Sequence, residues 1–406
     1  MSSDAKKLVY ITREIERALG MNPSADFVIV TNDTPYGNKV KEKFPDGVVL
    51  LKGNEGKLLG TGDLLSHEAL KAVVTDPAQC DLIVFKNTPR VEQSARTAGW
   101  KLLNPRATLS EQVENKISQI DWLGPLENKY LPRHRIAKTK NITWLGQPII
   151  IQWAHGHTGT GTVLIREETE LTNLKTKFPE RISRVTEYVE GASYTVNVVV
   201  ASDRVLMSTP SYQITGIAPF TDNMFSTVGN DWSYANTSLT FEDKSNIEEM
   251  AQSIGKKLNI NGWRGLFGID IIKSNKDGRI YLIEINARQP ASTTYESQLQ
   301  QAEREKGLRG ITTFEAHIRA LRNERIDNDI VPIQAGAQII QRVTSKINSV
   351  SDDKVKNIDA AGHKTICYGN GELGADLVRI QTSGSLMEKH GELNSVGKDI
   401  ASTLKN

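Results

Sequence analysis

Apolar positions in this chain come in short runs separated by polar turns. Phe27 to Val30, Val48 to Leu51 and Leu82 to Phe85 are each followed by polar or glycine-bearing turns, a rhythm that predicts a small parallel α/β sheet with crossovers. Ligands bind beyond the carboxyl ends of such strands, so Thr31 to Asp33 and Lys52 to Gly62 are candidate pocket segments, although no GxGxxG fingerprint follows any of the strands. Thr108 and Glu111 have capping-box spacing and predict a helix running through Val113, Ile117 and Ile120. Lys116 lies beside that apolar stripe, where a lysine taken alone covers the stripe with its stem. A strand at Ile149 to Ile151, a glycine-bearing loop from Gln152 to Gly161 and a returning strand from Thr162 to Ile165 come next. Tyr194 to Val199 alternates as a strand. Ser211 to Asn236, which includes Asn230 and Asp231, is polar and aperiodic, as binding loops are. Thr240 then caps an amphipathic helix with Ile247, Met250, Ala251, Ile254 and Leu258 on one face. Beyond Pro332, strands near Ala337 to Val343 and Leu377 to Gln381 predict a small structural subdomain.

The stretch from Gly265 to Ser292 carries most of the chemistry. Two runs rich in β-branched residues, Leu266 to Ile272 and Ile280 to Ile285, flank the turn cluster Ser274 to Gly278 and predict a hairpin. Alternation puts Asp270 and Ile272 on one face with Leu282 and Glu284, and Ile269, Ile271, Tyr281, Ile283 and Ile285 on the other. Asp270 then falls opposite Glu284, and two buried carboxylates facing each other repel and are costly to desolvate. A cation should sit between them. Asn286 and Arg288 continue along the face of Glu284, and an oxygen-only donor set suits magnesium or manganese shared with phosphates. A lone hairpin also admits a plain salt bridge between Arg288 and one of the acids. The motif GHTGTG, Gly156 to Gly161, can fold backbone N–H groups around phosphate oxygens, or be a simple glycine-rich turn.

Composition narrows the class. With 406 residues, a net charge of +2 and ordinary hydrophobicity, the chain can bury two to four compact units, and nothing in its charge asks for a nucleic-acid or membrane partner. The start has no apolar signal-peptide core and no run is long enough to span a membrane, so the expected location is cytoplasmic. Two cysteines, Cys80 and Cys367, make no disulfide framework, and the seven histidines lack zinc-ligand spacing apart from His155 and His157.

Taken in order, these elements resemble the ATP-grasp superfamily from about Pro105 to Ser292. The resemblance implies an α/β (α+β) fold. Residues 1–107 would form a parallel α/β pre-ATP-grasp domain, residues 108–330 the ATP-grasp domain, and residues 331–406 a small C-terminal β-containing subdomain. Within the middle unit it implies a glycine-loop subdomain at about 140–186, a hinge at 187–191 and a metal-site subdomain at 192–330. ATP and Mg2+ (or Mn2+) are the implied cofactors. Asp270, Glu284 and Asn286 look like the metal residues, with Arg288 completing the E-x-N-x-R spacing as the substrate and phosphate cation. Lys116, Gln152, His157, Thr158, Gly159, Thr160 and Gly161 would hold the nucleotide phosphates, and Glu187, Tyr188 and Val189 the adenine. Lys116 and Arg288 are the expected catalytic cations, and Asn230 and Asp231, with Arg288, the expected substrate contacts.

The chain departs from the pattern at two positions: Gln152-Trp153 stands where many members have lysine and proline, and Ser193 stands where a ribose-binding glutamate is common. The first predicts that Gln152→Lys is tolerated or tightens ATP binding. The implied activity is an ATP-dependent ligase joining a small-molecule carboxylate to an amine through an acyl phosphate, in a chain that can form a homodimer. An ATP-dependent carboxylase working through carboxyphosphate and a non-catalytic nucleotide-binding regulator are the alternatives.

Overall fold

The computed structural model describes residues 6–53, 57–154, 161–368 and 371–405. Its first unit is the expected parallel sheet. Strands β1 (Lys7–Ile11), β2 (Phe27–Asn32), β3 (Val48–Leu51), β4 (Cys80–Val84) and β5 (Lys101–Leu102) lie in the order β3-β2-β1-β4-β5. Both faces of β2 are buried, which is why it reads as a continuous apolar run. One face packs on a helix from far along the chain, Thr313–Leu321, through Phe314, Ile318 and Leu321. Residues near 1–107 therefore depend on residues beyond 310 for their core.

Two further sheets carry the site. The smaller contains β6 (His134–Lys138), β7 (Ile149–Trp153), β8 (Thr162–Ile165) and β9 (Ile182–Glu187), all antiparallel in the order β6-β9-β7-β8. The larger begins with β10 (Gly191–Val200), β11 (Val205–Met207), β12 (Ser211–Thr215), β13 (Thr227–Asp231), β14 (Gly265–Ser274) and β15 (Ile280–Asn286). It is completed by β16 (Ala337–Arg342), β17 (Lys364–Cys367) and β18 (Asp376–Thr382). Its path is β15-β14-β10-β12-β13-β16-β18-β17, with β11 pairing β10. Helix Phe241–Ile260 covers it with the expected apolar face, capped by Thr240 and Asp243 in a reciprocal capping box. No helix among the described residues is long and apolar enough to cross a membrane.

Four expectations change. The polar stretch Ser211 to Asn236 is not a free loop: it contributes β12, β13 and the helix Trp232–Ser238. Its strands escape a pattern search because Gln213 and Asn230 point into a cavity rather than a core. The C-terminal strands do not stand apart as a structural subdomain, since β16 pairs with β13 and extends the large sheet. Thr108 lies inside its helix, Ala107–Glu114, whose first N–H from Ala107 is taken by Glu92 Oε1 at 2.7 Å rather than by a capping box. The helix also stops at Glu114 instead of running on to Ile120. Lastly, the hairpin pairs Asp270 with Glu284 but carries a bulge immediately after Asp270, so that Ile271 pairs with Leu282. The extra residue is Ile283. Leu282 therefore joins Ile269, Ile271 and Ile285 in the core, and Ile283 turns to the site face.

Helix Thr293–Glu305 locks onto β10 through a buried acid, Glu296, whose carboxylate accepts hydrogen bonds from the Ser208 hydroxyl and the Asn197 amide. Burial pushes Glu296 up to about 7. A carboxyl raised in the folded state stabilises the fold fully below its unfolded pKa of about 4.3, and that contribution is lost as pH rises through about 7. Thermal unfolding followed between about pH 5 and 8 should show stability falling with pH, and Glu296→Gln, which cannot ionise, should flatten part of that slope.

Candidate active site

The site lies where β14 and β15 face the edge of the smaller sheet. Asp270 and Glu284 are direct neighbours across the two strands. Asp270 accepts from Thr195 Oγ1 at 2.6 Å, Gln213 Nε2 at 2.9 Å and Asn286 Nδ2 at 3.0 Å. Burial, reinforced by the facing Glu284, pushes its carboxyl up to about 6 against the bonds from Thr195 and Asn286. The cation expected between the acids is present as a side chain: Lys116 Nζ stands 2.6 Å from Glu284 Oε1. Burial opposes ionisation of Glu284, but Lys116, Arg288 and Arg184 together outweigh it and hold the carboxyl below its usual range.

Lys116 reaches this position because the helix breaks. Asn115 Oδ1 accepts the Ile117 N–H at 2.9 Å, and a new helix starts at Ser118. The break turns Lys116 inward, where it is 7% exposed, instead of along a solvated stripe. Glu114, the last residue of the first helix, pairs with Arg288 and with Lys86. The simple alternative of Arg288 closing on Asp270 or Glu284 is thus replaced by a bond to an acid that sequence reasoning passed over.

A second missed residue is Arg184 on β9. Its guanidinium donates to Gln152 Oε1 from Nη2 at 2.6 Å and from Nε at 3.1 Å, to Gln119 Oε1 at 3.1 Å and to the Ile283 carbonyl at 2.9 Å. Burial lowers its pKa to about 10, which leaves it charged at neutral pH. The positive charge absent at position 152 is thus replaced from the next strand, with Gln152 as its acceptor. This reverses the expectation for Gln152→Lys. An ammonium there would face a buried guanidinium of like charge that has lost two of its hydrogen bonds, and stability should fall by about 3 kcal/mol, the usual scale for leaving a buried charge uncompensated. Chemical denaturation of the variant measures this directly.

Two cavities meet at the hairpin. One, of about 350 Å3, is lined by Lys116, Gln152, Gly161, Ser193 and Glu284; the other, of about 520 Å3, by residues of β1's following loop, of β13 and of β16 to β18. Asp270, Asn286, Arg288 and Gln213 line both. Volumes of this size suit small molecules.

The remaining expected contacts divide. His157, Thr158, Gly159 and Thr160 lie outside the described residues, as does the rest of the loop His155 to Thr160. Glu187 ends β9, accepting the Arg133 N–H at 3.3 Å, and with Tyr188 and Val189 it links the smaller sheet to β10 without lining either cavity. Asn230 lines the larger cavity and donates to Ser211 Oγ at 3.1 Å. Asp231 does not belong to the site. It is fully buried, caps the helix Trp232–Ser238 through the Tyr234 N–H at 2.8 Å, and accepts from Ser385 Oγ at 2.8 Å and from the Leu386 and Met387 N–H groups at 2.7 and 3.1 Å. Strand alternation puts it opposite in face to Asn230.

Among the described residues no group of three His, Cys, Asp or Glu side chains converges as a metal site. Asp270, Glu284 and Asn286 would instead offer a cation two carboxylates and an amide on adjacent strands, a hard oxygen set. That is the arrangement magnesium favours. Lys116 already pairs with Glu284, while the hydrogen-bond donors around Asp270 are all neutral.

Residues 113–292 match the family model described as an ATP-grasp domain. The likeness of solved structures extends over nearly the whole chain. An N5-carboxyaminoimidazole synthase from Aspergillus clavatus, in complex with ADP and 5-aminoimidazole ribonucleotide, aligns at TM-score 0.65 and 14% identity over 98% of each chain. An L-amino acid ligase from Bacillus licheniformis aligns at TM-score 0.65 and 15% identity over 98% of this chain and 97% of that one. The N5-carboxyaminoimidazole synthetase from Staphylococcus aureus complexed with ADP aligns at 0.65 and 11%, over 98% and 97%. At these identities the likeness is one of fold. No curated protein sequence matches the chain.

Proposed function

We propose that the chain is an ATP-dependent carboxylate–amine ligase that releases ADP and phosphate. The observation that carries this reading is the convergence of Asp270, Asn286 and Arg288 on the boundary shared by two cavities, with Lys116 and Glu284 lining one of them. A nucleotide in the 350 Å3 cavity would place its terminal phosphate beside Lys116 and a second substrate in the 520 Å3 cavity on the other side of the hairpin acids. Asp270, Glu284 and Asn286 would hold Mg2+ (or Mn2+), which supplies charge neutralisation for phosphoryl transfer when bound. Arg288, released from Glu114, would orient the substrate carboxylate and stabilise the acyl phosphate formed from it. Lys116 and Arg184 would offset the negative charge on the nucleotide side. His157 to Thr160 and Gly161 would bind the nucleotide, Glu187 to Val189 would meet the adenine, and Asn230 would contact the second substrate. Small-molecule partners, a cytoplasmic setting and a homodimer belong to the same proposal.

The structural relatives include both carboxyaminoimidazole synthetases and an amino acid ligase, so bicarbonate is the rival to an organic carboxylate. A phosphate-release screen over bicarbonate, amino acids and small carboxylates, each with and without amines, separates them. Release that requires an organic carboxylate supports the ligase. Release with bicarbonate alone would move the assignment to a carboxylase, and ATP binding without release on any substrate would indicate a binder.

A further inference from the structure

The larger cavity contains a buried acid that phosphate chemistry leaves unused. Glu16 lies on the short helix Ile15–Ala18 after β1, is 7% exposed and lines the cavity. Among the described residues its carboxylate makes no ion pair and receives no side-chain hydrogen bond. The charged and titratable groups that face it are Glu14 and Arg17 from its own segment, Tyr36, and Arg379 and Tyr368 from the C-terminal strands. Neither arginine forms an ion pair with it, although both favour its charged form through space and Arg17 Nη1 has no hydrogen-bond partner among the described residues. Arg17 Nε pairs with Glu14 at 3.3 Å and its guanidinium lies 4.6 Å over the Phe85 ring, while Arg379 donates to Tyr368 Oη at 2.8 Å and to Gln338 Oε1 at 2.9 Å. Burial, with Glu14 adding to it, pushes Glu16 up to about 7. An acid this buried and unpaired is costly unless a cation or a proton meets it, and the open side is the cavity that also reaches Arg288.

Resting on the ligase reading above, we infer that this cavity is the acceptor site and that Glu16 receives the protonated primary amine of the acceptor and takes its proton before attack. A primary amine is an ammonium ion at neutral pH and has no lone pair to offer, so one proton must leave first. The nitrogen then attacks the acyl carbon, the carbon–oxygen bond to phosphate breaks, and the second proton leaves with the phosphate. The sum is acyl phosphate plus ammonium giving amide, hydrogen phosphate and the proton held by Glu16. No co-reactant beyond ATP and the two substrates is required.

Hydroxylamine, uncharged at neutral pH, traps acyl phosphates as hydroxamates and serves as the reference nucleophile. Turnover is measured on the full chain with the best carboxylate donor from the screen, using either hydroxylamine or a panel of L-amino acids and simple primary amines. In Glu16→Gln the amine-dependent rate should fall about tenfold or more beyond any fall in the hydroxylamine-dependent rate. The rise of the amine rate with pH through about 7 should flatten, and Glu16→Asp should restore part of it. Hydroxamate formation reports that each variant is folded. Equal effects of Glu16→Gln on both nucleophiles, or no effect on either, would overturn the role of Glu16 and leave the ligase standing. Failure of the wild-type chain to form any hydroxamate would instead overturn the ligase reading, and this inference with it.

Discussion

Glu284→Gln should lower ADP formation by more than about 100-fold, since even residues that only support metal ligands cost 10- to 100-fold when changed. The amide keeps the size of the side chain but halves its oxygens and removes the charge that faces Asp270. The fold should persist. Burial already lowers the pKa of Lys116, so without its partner the lysine can shed its proton rather than remain as a bare buried charge. Steady-state ADP release together with a thermal melt separates the two effects. Normal turnover in this variant would remove Glu284 from the metal site.

Arg288→Ala should reduce turnover by about 100- to 1000-fold, the range seen when one charge-stabilising donor is removed from a reacting centre. Glu114 would keep Lys86 as a partner, so the loss should fall on catalysis more than on folding. Arg288→Lys should recover only part of the rate, because an ammonium restores charge without the planar fork that grips a carboxylate or phosphate. A rise in the KM for the carboxylate with kcat retained would assign Arg288 to ground-state binding alone.

The two acids of the hairpin were readable from sequence because they interrupt β-branched runs at positions that alternation places face to face. The bulge at Ile283 was not, since an extra residue leaves no compositional mark among isoleucines, and it exchanges the faces of Leu282 and Ile283. Lys116 could be placed near the site by resemblance, yet its inward turn depends on Asn115 ending one helix, which periodicity smooths over. Arg184 and Glu114 gave no signal, for an arginine in an ordinary strand and a glutamate on an ordinary helix look like solvated residues until the packing buries them. Asp231 misled for the opposite reason: a polar cluster near the expected pocket looked functional, while strand geometry sends its carboxylate to the far face. The C-terminal strands, with Gln338 and Arg379 on the cavity side, could be placed as strands but not assigned to the large sheet, because sheet partners so far apart in sequence are set by tertiary packing.

The central claim, that ATP phosphorylates a carboxylate at the boundary of the two cavities, is tested most directly by oxygen transfer. The donor carboxylate found in the screen is labelled with 18O at both oxygens, and the mass of the phosphate released during amide formation is measured. An acyl phosphate intermediate delivers one carboxylate oxygen to each phosphate, so phosphate heavier by a single 18O is the predicted result; unlabelled phosphate would contradict the account.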